Sequence, residues 1–72
     1  MPRKIRQLKA ALRRAGARQV AQESSHTKWK HPDVPGLLVE LSGADNDDAK
    51  RYQERDLREA LRRIDDVRRR LE

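Results

Sequence analysis

The chain is 72 residues long with a formal net charge of +6; 42% of its residues are charged, 35% are hydrophobic, and it has one Trp, one Tyr, no Phe and no Cys. One small domain, residues 1–72, is the natural count, with a core too slight for a deep substrate pocket and a surface site as the easier alternative. Without cysteine there is neither a disulfide framework nor a thiolate zinc site, and apolar runs such as Leu37-Leu38-Val39 are far too short to span a bilayer.

The N-terminal stretch has charges but no apolar h-region, so it does not read as a secretory signal, and a cytoplasmic protein without membrane contact is expected. The charge is uneven. Residues 1–32 carry a net +8, residues 33–48 a net −5 and residues 49–72 a net +3. Such basicity suits a polyanion such as RNA, because each neutralised phosphate releases condensed counterions.

In chain order, Pro2 can occupy a first helical position, and Ile5, Leu8, Ala11, Leu12 and Ala15 recur at helical spacing up to Gly16, a stop signal. This predicts an amphipathic helix over about residues 3–15. Its other face, Arg3, Lys4, Arg6, Lys9, Arg13 and Arg14, is free to meet phosphate, an acidic protein or solvent. Ala17–Gln22 reads as a weak strand, Glu23-Ser24 as a tight turn and Ser25–His31 as a second strand that Pro32 ends. Residues 32–36 read as a turn and Leu37–Leu41 as a third strand.

Residues 42–48, SGADNDD, form an acidic loop. It lacks the glycine and the closing glutamate of a calcium-binding loop, so it reads as an acidic segment that caps a helix or repels a wrong partner, and no metal is expected. The last segment carries Leu57, Ala60, Leu61, Ile64, Val67 and Leu71 on one stripe. Asp56 is a candidate N-cap with Glu59 in the capping-box position, and a start near Gln53 is the alternative. Glu59 with Arg62 or Arg63, and Asp65 with Arg68 or Arg69, are set to pair.

The order helix, strand, strand, strand, helix predicts an α+β fold: a three-stranded antiparallel sheet with two helices on one face. Strand alternation then divides the stretch Ser24–Pro32, SSHTKWKHP. Ser25, Thr27, Trp29 and His31 face one way and His26, Lys28 and Lys30 the other. Trp29, the largest apolar group, is expected against the helices with its indole N–H needing an acceptor. His31 is then a hydrogen-bonded structural histidine, and His26, Lys28 and Lys30 line the open face. A titratable imidazole beside two cations matches what RNA transesterification needs: a base for the 2′-hydroxyl, an acid for the leaving 5′ oxygen, and positive charge for the phosphorane-like transition state. Spacing alone leaves two other readings open, a non-catalytic RNA-binding module and a basic protein-interaction domain.

The order α-β-β-β-α, the opening MPRKIRQL, the segment RRAGARQV and the strand SSHTKWKHP resemble HicA toxins, the mRNA interferases of type II toxin–antitoxin systems. Ser25 and His26 match the family's Ser-His, and Trp29 its aromatic position. The resemblance implies a double-stranded-RNA-binding-domain-like fold, cleavage of mRNA with His26 as the catalytic residue, no cofactor, and a HicB-type antitoxin that covers the site in a hetero-oligomer or alongside a toxin dimer. Ser25, Lys28 and Lys30 are the candidate RNA-binding residues. Two positions depart from the family. Ser24 stands where the family has glycine, which costs ~1–2 kcal/mol if that turn needs positive φ. Ala17 stands where a large aromatic is usual.

Overall fold

A computed structural model describes residues 2–71; Met1 and Glu72, the two ends of the expected domain, lie outside the described residues. The elements are α1 (Ile5–Arg14), β1 (Arg18–Glu23), β2 (His26–His31), β3 (Val34–Ser42) and α2 (Arg51–Leu71). The strands form one antiparallel sheet in the order β1-β2-β3. This is the α+β architecture expected.

Burial shows why the layers form. β2 alternates exposed and buried along its whole length, and Leu37, Val39 and Leu41 of β3 are buried with it. These side chains join Ile5, Leu8, Ala11 and Leu12 of α1 and Leu57, Ala60 and Ile64 of α2 in a single core cluster. Trp29 is its largest member, at 1% exposure. Its indole Nε1–H donates to the Thr27 hydroxyl at 3.0 Å, which supplies the acceptor that burial demands, and the Arg13 guanidinium lies 5.2 Å from the ring centroid.

Helix α1 stops as its glycine predicts. The Gly16 N–H donates to the Arg13 carbonyl and the Ala17 N–H to the Leu12 carbonyl, a Schellman arrangement that requires the positive φ of 91° at Gly16. Ala17 is buried in the core cluster at the end of this motif.

Several boundaries differ from expectation. α1 begins at Ile5, and Pro2 lies ahead of it, exposed. β1 runs Arg18–Glu23 rather than Ala17–Gln22, and Ser25 lies in the turn instead of in β2. β3 is longer than Leu37–Leu41. It starts at Val34, paired with His31, so the preceding turn shrinks to Pro32-Asp33. Pro35 and Gly36 are tolerated because β3 is an edge strand and its pairing with β2 is interrupted there, between Trp29 and His31.

α2 begins at Arg51, close to the alternative start near Gln53 and five residues before the other candidate, a cap at Asp56. The Lys50 carbonyl accepts the N–H groups of Gln53 and Glu54, and the Gln53 side chain accepts the Lys50 N–H at 2.9 Å. α1 starts the same way, with the Lys4 N–H donating to the Gln7 amide oxygen at 2.7 Å. A lysine side chain has no acceptor, so only the glutamine half of a capping box forms at each helix. Gln53 is also buried, and its Nε2–H donates to the Ser42 carbonyl at 3.0 Å, tying the end of β3 to the start of α2.

The acidic loop caps α1, one of the two roles read from its composition. The carbonyls of Asp47 and Asp45 accept the N–H groups of Ile5 and Arg6. Asp48 pairs with Lys4 at 2.6 Å, Asp45 pairs with Lys9 at 2.7 Å, and Asn46 accepts from Arg6. The hydrogen-bonded Lys9 ammonium, with Arg13 and Arg6 adding to its field, holds the Asp45 carboxyl below its ordinary pKa of 3.8. A depressed folded-state pKa contributes stability that is present above the unfolded value and is lost as pH falls through the folded one. Urea denaturation should therefore show a midpoint that drops below about pH 4, with a smaller drop in Asp45→Asn. Equal drops in the two proteins would show that this pair does not couple to folding.

Candidate functional site

The site follows from β2. With Trp29 and Thr27 held inward, His26, Lys28 and Lys30 are exposed on the open face, as alternation predicts. Their cross-strand neighbours set the local field. Lys30 lies opposite Arg18, a doubly basic pair. Lys28 lies between Ala21 and Glu40, with its Nζ 3.9 Å from the Glu40 carboxylate. His26 lies between Glu23 and Ser42. Ser25 is exposed in the turn before it, where its carbonyl accepts the Gly43 N–H.

His31 is set apart from these residues. It is 5% exposed, and both ring nitrogens are engaged. The Asp33 N–H donates to Nδ1 at 3.0 Å, so Nε2 carries the proton and donates to the Ala15 carbonyl at 2.8 Å. That carbonyl also accepts from Arg68. His31 therefore ties β2 to the end of α1, at a carbonyl that Arg68 of α2 also reaches, and has no ring nitrogen left for proton transfer.

His26 opens onto a groove of about 380 Å³ between β3 and the first turns of α2. Its other walls include Leu38, Glu40, Ser42, Tyr52 and Asp56. Sequence reasoning missed Tyr52 altogether. The available signal was that the chain's only tyrosine stands off the apolar stripe of α2, and in the structure it is 45% exposed.

The α1 cations behave differently from expectation. Arg3 pairs with Glu54, Lys4 with Asp48 and Lys9 with Asp45; Arg6 donates to Asn46, and Arg13 covers Trp29. Only Arg14 of the predicted basic face lacks such a contact among the described residues. On α2, Arg62 pairs with Glu59 and Arg69 with Asp65, as the spacing predicts, and the Arg62 hydrogen bond holds the Glu59 carboxyl low.

The model of the HicA toxin family of bacterial toxin–antitoxin systems matches residues 5–64, from the first residue of α1 to the last buried residue of α2. The chain belongs to the HicA toxin family. No curated protein and no solved structure gives a match. Membership makes it a toxin with an antitoxin partner, and places His26 and its groove within the part of the chain that the HicA model covers. Among the described residues no helix is long and apolar enough to cross a membrane.

Ser24 is the point at which this HicA chain carries strain. It has φ 57° and is the first of the two residues between Glu23 and His26, which pair across the hairpin. Positive φ at that position is where a two-residue hairpin of the II′ type takes glycine. Ser24→Gly should relieve about 1 kcal/mol, raising Tm by roughly 4–8 °C in a domain of this size. A Tm that stays put or falls in a thermal melt would show that Ser24 sits in its turn without strain.

Proposed function

We propose that this HicA toxin is an endoribonuclease that cleaves single-stranded mRNA by transesterification with His26 as the catalytic residue. The observation that carries this reading is the division of the two histidines. His31 has both nitrogens bonded inside the fold, whereas His26 is exposed at the mouth of a groove beside Lys28. The nucleophile is the RNA's own 2′-hydroxyl. Neutral His26 takes its proton, the 2′ oxygen bonds to phosphorus, and the bond to the 5′ oxygen breaks as water protonates that leaving group. The products are a 2′,3′-cyclic phosphate and a 5′-hydroxyl. A histidine base suits this step near neutral pH without a metal, because its ordinary pKa is ~6.5.

Lys28, Lys30 and the paired Arg18 supply positive charge along the sheet for the substrate phosphates and for the charge that develops on the pentacoordinate phosphorus. Ser25, in the turn leading to His26, contributes its hydroxyl to the backbone of the same nucleotide. The antitoxin, of HicB type, is expected to cover this open face, because occlusion of His26 and Lys28 suffices to block both RNA binding and proton transfer.

The test is cleavage of single-stranded RNA in EDTA by the full chain. His26→Ala should lose about 10²–10⁴-fold in rate with an unchanged thermal melt, since the side chain is exposed, and its expression should no longer arrest growth. Cleavage that persists in His26→Ala removes His26 from the chemistry. Salt-sensitive RNA binding with no cleavage by the parent protein would instead establish a non-catalytic RNA-binding module.

A further inference from the structure

Tyr52 is the shared wall of two grooves. One is the groove that opens at His26; the other, of about 940 Å³, lies along the first turns of α2 and is lined by Arg51, Arg55 and Arg58. These arginines are spaced i, i+4, i+7 and share one helix face. Among the described residues Arg51 and Arg58 have no ion pair, and Arg55 has only a 3.6 Å contact to Asp56. An exposed aromatic ring thus stands between a groove at the candidate catalytic residue and a stripe of three arginines, two of them without an ion pair among the described residues.

We propose that the RNA track leaves the sheet at His26 and continues onto α2: a base next to the scissile phosphate enters the groove and stacks on Tyr52, and the phosphates beyond it lie on Arg51, Arg55 and Arg58. This rests on the endoribonuclease reading and specifies its substrate path. The sign of the charges sets the arrangement. The carboxylates of Glu40 and Asp56 disfavour further phosphates inside the His26 groove, beyond the scissile one at its mouth, while they can accept hydrogen bonds from the amino and imino groups of a base; the carboxylate that lines the arginine groove, Glu54, is already paired with Arg3. The phosphates are therefore carried by the arginine side of Tyr52. A positive track combined with an aromatic platform is how single strands are held without a base-pairing partner. On the N-terminal side Arg3, Lys4 and Lys9 are held in ion pairs and Arg6 is bonded to Asn46, so the three arginines lining the groove beside Tyr52 are the larger cluster of open cations next to an exposed aromatic ring.

The test is fluorescence anisotropy with a short mixed-sequence single-stranded RNA, using the full chain with His26→Ala so that binding is read apart from cleavage. Tyr52→Ala and Tyr52→Leu should each weaken binding about 5- to 100-fold. Tyr52→Phe, which keeps the ring, should bind like the parent and serves as the check on folding. Combined Arg51→Gln, Arg55→Gln and Arg58→Gln should reduce the slope of log affinity against log salt by about 2. Unchanged affinity in Tyr52→Ala, or an unchanged slope in the triple variant, overturns the track. A parent that binds no RNA overturns the track and the nuclease reading together, whereas cleavage that survives His26→Ala removes only the catalytic assignment.

Discussion

Burial of Trp29 is the constraint on which the rest of the structure depends. Its ring closes the core between the sheet and α1, its indole N–H is satisfied within the same strand by Thr27, and its upper face is covered by Arg13. A strand with period two leaves no choice once that side chain is inside. His26, Lys28 and Lys30 must face outward and His31 inward. The chemistry assigned to the open face thus follows from a packing decision made on the other side of β2, and a one-residue slip would exchange the two sets.

Charge is the second organising principle. A net +6 chain could present cations everywhere, yet the acidic segment between β3 and α2 folds back on the start of α1 and engages its lysines and arginines. Exposed pairs of this kind contribute little stability individually. Their larger effect is spatial: positive potential is muted on α1 and kept on β2, at Arg18 and along the first turns of α2. The family's toxin role requires a surface that an antitoxin recognises, and a concentrated field gives more specificity than a uniform one.

Much of this was legible in the sequence. Apolar spacing gave both helices, Gly16 gave the stop of α1, alternation gave the two faces of β2, and composition suggested that the acidic loop would cap a helix. The start of α2 was legible only as two alternatives, because its cap is a lysine backbone served by a glutamine side chain, a pairing with no distinctive letter code. The length of β3 was hidden by Pro35 and Gly36, which read as a turn until the edge position of the strand is known. The engagement of Arg3, Lys4, Arg6 and Lys9 could not be read locally, since their partners lie 36 to 51 residues away in the chain. Tyr52 escaped for the same reason: its proximity to the His26 groove exists only once α2 is laid beside β3.

β1 has a consequence of its own. All six of its side chains are exposed, and it meets the sheet along a single edge through a ladder broken between Gln19 and Ala21. Backbone hydrogen bonds and short cross-strand contacts hold it, with no buried apolar anchor. Segments of this kind open at free energies well below that of global unfolding. The amides of β1 are therefore expected to exchange with solvent in excursions that leave the core intact, and the Ser24 turn lies at the tip of that hairpin. The residue next in line after that turn is His26, so the candidate catalytic side chain is flanked on one side by β3, which Gln53 ties to α2, and on the other by a strand with no buried side chain.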